Sequence, residues 1–217
     1  MTSPAPSTRR ELRAQRSTPP TILFVCTGNI CRSPMGEVVL RAALDDLDVR
    51  VHSAGTHGLV GRGMTQEAQD LALGLGAKST DAEAHTARFL QEPLLRESDL
   101  VLTMTSDHRS HAVQLEPSQF RRTFTVREFA RLSAVVPDSD ITDAADAVGP
   151  IPRERLRAAI RIIADQRGSS STPSSDDDNV IDPYRQSREI YEQSAAQLAP
   201  ALAEVERVIR AALPPGH

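Results

Sequence analysis

Four apolar residues in a row, Ile22-Leu23-Phe24-Val25, run straight into Cys26, and Arg32 follows six positions later. So short an apolar run cannot make a helix and reads as a strand buried on both faces, as in a parallel sheet. Thr27-Gly28-Asn29-Ile30-Cys31 has the composition of a tight loop. After Arg32, Ser33-Pro34 reads as a helix cap with proline at the first helical position. Met35, Val38, Val39, Ala42 and Ala43 then recur at the spacing of one apolar helical stripe. The order is strand, short loop, helix, with a cysteine where the loop starts and an arginine where it ends.

Such a loop turns backbone N–H groups inward, because they have no helical partners yet. Those groups, the helix dipole and one guanidinium make a seat for a tetrahedral oxyanion such as phosphate. The same field favours a thiolate, so Cys26 is expected to be nucleophilic and placed for in-line attack on phosphorus. Backbone groups from Thr27, Gly28, Asn29, Ile30, Cys31 and Ser33 would hold the phosphate. A Cys-x5-Arg spacing alone is weak in an Arg-rich chain, and a small buried cysteine ending a core strand is the plain alternative. Placement between a strand and a capped helix is what gives the spacing its weight.

The string Val25-Cys26-Thr27-Gly28-Asn29-Ile30-Cys31-Arg32-Ser33-Pro34 resembles the active-site signature of the low-molecular-weight protein tyrosine phosphatases. Further landmarks resemble that family in the expected order: Ser53-Ala54-Gly55-Thr56, His85-Thr86-Ala87-Arg88, Ser98-Asp99-Leu100-Val101-Leu102 and Phe124-Thr125-Val126-Arg127-Glu128-Phe129. The resemblance covers residues 21–132 and 178–213, close to a whole family domain.

The rest of the chain fits an α/β reading without that resemblance. Strands are expected at 49–53, 100–102 and 124–126. Helices are expected from Thr65 to a stop at Gly76, around 93–95, from a cap at Ser106 to about Leu115, and over 127–132. Strands alternating with helices imply a four-stranded parallel sheet covered by helices on both faces, in one domain. Ligands of such sheets sit beyond the carboxyl ends of the strands, where Cys26 and Ser53 fall. Residues 1–20, rich in Ser, Thr, Pro and Arg, are expected to be a disordered tail whose positive charge could touch an acidic surface or simply be solvated.

Residues 133–177 differ in character and are absent from short members of the family. They are read as an insertion in the 21–213 domain, with an acidic, loop-like 138–146, one helix over 152–166, and a flexible acidic linker over 168–178. The insertion could be a lid, a partner surface or a tolerated addition. The last element runs from Ser187 to about Leu213, with Ile190, Ser194, Leu198, Leu202, Val205 and Ile209 inward. Pro200 is expected to kink or split it.

A phosphate ester leaves as an alcohol or phenol and needs a proton. Asn179-Val180-Ile181-Asp182-Pro183-Tyr184 offers a candidate acid. Its apolar approach would desolvate Asp182 and favour the protonated form, and Pro183 would stiffen the loop. Alone, Asp-Pro-Tyr reads as a turn before a helix. The resemblance implies that Asp182 is the general acid and that Tyr184 flanks the substrate ring. It also implies that Asn29, Ser33, Ser53 and His85 hold the loop, although singly they read as a turn Asn, a cap Ser, a strand-end Ser and a surface His.

The resemblance implies a phosphotyrosine phosphatase working through a phosphocysteine, with no metal or cofactor. The Gly-rich stretch after Thr56 lacks the aromatic of one pocket wall in animal enzymes and resembles the bacterial branch. Some members of that branch act on tyrosine kinases of exopolysaccharide synthesis, so such a kinase is a candidate partner. Ile30 suits a phenyl ring, whereas the phosphoarginine-hydrolysing branch carries Thr there. The alternatives are that phosphoarginine activity, a thiol-dependent arsenate reductase with no third cysteine for its relay, and a non-catalytic phosphotyrosine-binding module. Cys31 is either a redox partner for Cys26 or a small residue packing the loop.

A net charge of −4 argues against a general nucleic-acid binder, and no apolar run approaches a membrane span. Two cysteines in one loop, with no apolar segment after the N-terminal arginines, imply a reducing, cytoplasmic setting. Lys78 is the single lysine, so scattered arginines carry little functional weight. The oligomeric state is not legible in the sequence.

Overall fold

The computed structural model describes residues 18–168 and 177–213. Four strands, β1 (Thr21–Cys26), β2 (Arg50–Gly55), β3 (Leu100–Thr103) and β4 (Thr123–Thr125), form one all-parallel sheet in the order β2-β1-β3-β4. β1 is central and buried along its whole length, as its unbroken apolar run requires. Ile22 and Phe24 join the larger core cluster, and Leu23 and Val25 the smaller one on the opposite face.

The helices are α1 (Arg32–Ala43), α2 (Gln66–Gly74), α3 (Ser79–Ala84), α4 (Glu92–Glu97), α5 (Ser106–Leu115), α6 (Val126–Ser133), α7 (Asp138–Asp146), α8 (Pro152–Asp165) and α9 (Arg188–Ala212). Local sequence explains several boundaries. Thr65 caps α2 by accepting from the Ala68 N–H, and Gly76 follows at φ +94. Thr125 and Glu128 form a reciprocal capping box at α6. Gly36 lets α1 lie against the sheet, since a Cβ there would sit 2.9 Å from the Phe24 ring.

Four expectations are corrected. α1 starts at Arg32, with Cys31 in the cap position, so Ser33 is not its cap. Thr105, not Ser106, caps α5. Residues 138–146 form a helix rather than an acidic loop: Ile141 and Ala145 are buried four apart, and Asp138 and Asp140 suit its N-terminal dipole. α9 runs unbroken through Pro200, so it is not split there, and Pro200 and Ala196 both lie on its exposed face. Its inner face is close to expectation, except that Ile190 is half-buried and Tyr191 takes the buried place.

α8 is fixed to the sheet. Asp99, fully buried at the foot of β3, accepts from the Thr21 N–H at 2.9 Å and pairs with Arg153 and Arg157 of α8. Leu156, Ala159, Ile160 and Ile163 are buried in the larger core. The expected tail falls mostly on residues 1–17 and the linker on 169–176, both outside the described residues. At the margins, Pro20 accepts from the Arg50 N–H, and Asp178 pairs with Arg131 at 2.7 Å.

Candidate active site

Beyond the carboxyl end of β1 the chain turns sharply. Asn29 takes a left-handed φ of +57, and Thr27 and Asn29 pack so tightly on Gly55 that a Cβ there would lie 2.4 Å from the Thr27 carbonyl. The Asn29 N–H points at Cys26 Sγ from 3.3 Å, and Ser33 Oγ lies 2.9 Å from the same sulfur. The Ser33 hydroxyl thus meets the sulfur and, at 3.4 Å, the Ala54 carbonyl instead of capping α1. Cys26 is 3% exposed at the floor of a cavity of about 250 Å³. Thr27, Gly28, Ile30, Cys31, Arg32, His57, Leu59, Asp182 and Tyr184 form the rest of its lining.

A buried polar network stands behind this floor. Asn29 Nδ2 donates to Ser33 Oγ at 3.0 Å and to Ser53 Oγ at 2.7 Å, and its Oδ1 accepts from the Arg88 N–H. His85 Nε2 meets the Asn29 carbonyl at 2.8 Å. Ser53 donates to Glu37 Oε2 at 2.5 Å, and Glu37 is paired by Arg41 and His85. Burial pushes the Glu37 carboxyl up, but the bonds from His85 and Ser53 and the Arg41 charge outweigh it and hold it below the usual range. These bonds bring Asn29, Ser33, Ser53 and His85 together. Glu37 and Arg88 were missed. Glu37 was findable, because it stands four residues after Ser33 and so on the same helical face.

The Cys31 side chain meets α9 and the cap of α2. Its sulfur lies 3.6 Å from both the Tyr191 and Thr65 hydroxyls, and burial pushes its thiol up despite those bonds. Both cysteines are free.

The Asp182 segment crosses the other side of the mouth. Its backbone is tied down by the Val180 N–H to the Met104 carbonyl at 2.8 Å, by Asn179 Oδ1 accepting from the Ser106 N–H, and by the Ile181 N–H to Gln197 Oε1. Arg32, 3% exposed, donates to the Val180 carbonyl at 3.1 Å and pairs with Asp182 Oδ2 at 2.8 Å. The expected desolvation of Asp182 is not found. Val180 goes into the core, whereas the Asp182 side chain is 54% exposed and meets a guanidinium. Tyr184 is half-exposed at the rim, with the Arg185 guanidinium 5.1 Å from its ring centroid. The elements so joined can seat a tetrahedral anion between a sulfur, inward N–H groups, a guanidinium and a carboxyl.

Among the described residues no helix is long and apolar enough to cross a membrane. The model of the family described as low molecular weight phosphotyrosine protein phosphatase matches residues 21–147. The match includes the cysteine loop and stops short of Asp182. The chain is 43% identical over 97 residues to the low molecular weight protein-tyrosine-phosphatase Etp of Escherichia coli, covering 45% of this chain and 62% of that relative. It is 37% identical over 114 residues to the protein-arginine-phosphatase of Bacillus subtilis, covering 50% and 71%. The crystal structure of the Erwinia amylovora tyrosine phosphatase AmsI shares the fold, with a TM-score of 0.59 at 24% identity over 86% of this chain and 91% of that one.

Proposed function

The chain belongs to the low molecular weight phosphotyrosine protein phosphatase family, and from that premise we propose that it hydrolyses phosphotyrosine in proteins through a phosphocysteine. The observation that carries this reading is that Cys26, Arg32 and Asp182 line one cavity, with Arg32 and Asp182 paired at 2.8 Å. Cys26 attacks phosphorus while the loop N–H groups and the remaining Arg32 donors hold the phosphoryl oxygens. Asp182 gives the leaving phenolate its proton. It then takes a proton from the water that attacks the phosphocysteine, and Ser33 donates to the sulfur as it leaves.

Ile30, Leu59 and Tyr184 give the cavity apolar walls, which suit a phenyl ring better than a guanidinium. Tyrosine-phosphorylated protein is the partner this implies, with a bacterial tyrosine kinase of exopolysaccharide synthesis as the candidate. A cytoplasmic setting would keep both thiols reduced. Residues 133–168 belong, in this reading, to the body of the domain, because α8 is held there by its buried face and its pairing to Asp99.

Turnover of p-nitrophenyl phosphate, blocked by vanadate, tests the activity. A phosphotyrosine peptide and a phosphoarginine peptide compared side by side test the substrate. Faster release of phosphate from phosphoarginine would overturn the choice of phosphotyrosine, and no turnover of any of the three would overturn the enzyme.

A further inference from the structure

His108 lies outside both the cysteine loop and the acid segment, in the first turn of α5, yet it touches the loop. The residue is 7% exposed, with Nε2 2.9 Å from Thr27 Oγ1 and Nδ1 2.8 Å from Thr105 Oγ1. Thr105 Oγ1 already accepts from the backbone N–H of His108 as the cap of α5. One tautomer of the ring accepts the Thr105 hydroxyl proton at Nδ1. That leaves the ring proton on Nε2, directed at Thr27 Oγ1. Burial, and after it the Arg32 charge, hold His108 down to about 4, so the ring is neutral at ordinary pH and has one proton to place.

A hydroxyl whose lone pair is occupied in this way has its own proton left to donate. Thr27 lines the cavity beside Cys26, Arg32 and Asp182, and among the described residues no acceptor is paired with that proton. We propose that His108 is a positioning residue: it fixes the Thr27 hydroxyl so that it donates to an oxygen of the phosphoryl group seated over Cys26. The loop's backbone amides thereby gain one side-chain donor whose orientation is set before the anion arrives, the kind of preorganisation that lowers a barrier. The chain of contacts is Thr105, His108, Thr27, anion, and it is distinct from the Asn29 network under the loop. This inference rests on the phosphatase reading.

The test is a cycle of His108→Leu and Thr27→Val, singly and together, with His108→Gln and Thr27→Ser as conservative variants. Turnover of p-nitrophenyl phosphate by the wild type is measured first, and its absence would sink the phosphatase reading rather than this one. Each of His108→Leu and Thr27→Val should lower kcat/KM about tenfold, the worth of one oriented hydrogen bond. The double variant should fall no more than about twofold below the worse single, because both remove the same donor. His108→Gln, whose amide nitrogen reaches towards the place of Nε2, and Thr27→Ser should each return to within about threefold of wild type. A full second loss from His108→Leu on the Thr27→Val background would show that the ring acts only through packing. Should His108→Leu fail to fold, Thr27→Val against Thr27→Ser decides: equal rates for the two overturn the proposal.

Discussion

The two halves of the candidate site are built on opposite plans. On the cysteine side the polar side chains behind the sulfur are buried and bonded: Asn29, Ser33 and Ser53 are at most 1% exposed and hold one another, the sulfur and Glu37. On the acid side the backbone of residues 179–181 is tied down, but Asp182, Tyr184 and Arg185 reach into solvent. A group that must present fixed donors to a phosphate gains from a rigid, water-free setting. A group that must exchange a proton with a leaving group and then with water gains from standing at the mouth. The loop should therefore couple activity to stability, and the acid segment should separate them.

Replacing the nucleophile has the largest expected effect. Cys26→Ser should lower kcat at least about a thousandfold, because the oxygen is far less nucleophilic at neutral pH than the sulfur. Burst kinetics with p-nitrophenyl phosphate check this directly, and appreciable turnover by the variant would remove the covalent route. Asp182→Asn comes next. It should lower kcat by roughly a hundredfold to a thousandfold, with unfolding free energy changed by less than about 1 kcal/mol, since the carboxyl is more than half exposed and Asn keeps an oxygen for Arg32. Urea unfolding beside steady-state kinetics measures both. A stability loss as large as that of a buried loop residue would erase the contrast between the two sides.

Asn29→Ala probes the other side of the contrast. It removes one bond from each of Ser33 and Ser53, leaves the Arg88 N–H without its Asn29 acceptor, and puts alanine at φ +57. A cost of about 3 kcal/mol in stability is expected, together with at least a tenfold loss in kcat/KM. Activity lost with the urea midpoint unchanged would show that the network orients the loop without holding the fold.

The same contrast explains what could be read from the sequence. Strand, loop and helix around Cys26 are contiguous, so Cys26, Arg32 and the loop amides were legible from local rules. Asp182 is 150 positions further on. Residue types drew attention to it, yet the apolar Val180 and Ile181 misled about its setting, because the chain turns Val180 inward and Asp182 outward. Ser33 fitted the local rule for a cap and was claimed instead by a sulfur seven residues earlier, a tertiary demand on a local signal. The helix over 138–146 was hidden by its aspartates, which hold its first turn and exposed face while only Ile141 and Ala145 mark the buried side. His108 gave no sign at all, since its partners come from the ends of two different strands.

Two buried histidines sharpen the contrast with a smaller, pH-dependent effect. His108 is bonded at both nitrogens, whereas His52, paired with Leu23 across β1 and β2, has both ring nitrogens without a partner among the described residues. Burial, seconded by Arg88 for His52 and by Arg32 for His108, pushes each down to about 4. An unfolded chain would protonate both near 6.5, so between about 6.5 and 4 the unfolded state holds more protons and stability falls as pH falls. Across that window the loss is on the order of 3 kcal/mol per histidine, and it levels off below about 4. His52→Leu removes two unpaired polar atoms and one of these titrations. Its melting temperature should match or exceed wild type at pH 7 and decline less on acidification to pH 5, with kcat/KM at pH 7 little changed, because His52 faces the smaller core cluster and not the loop. An unaltered slope of melting temperature against pH would mean that the acid sensitivity arises elsewhere, with His108 and the carboxylates next to be tested.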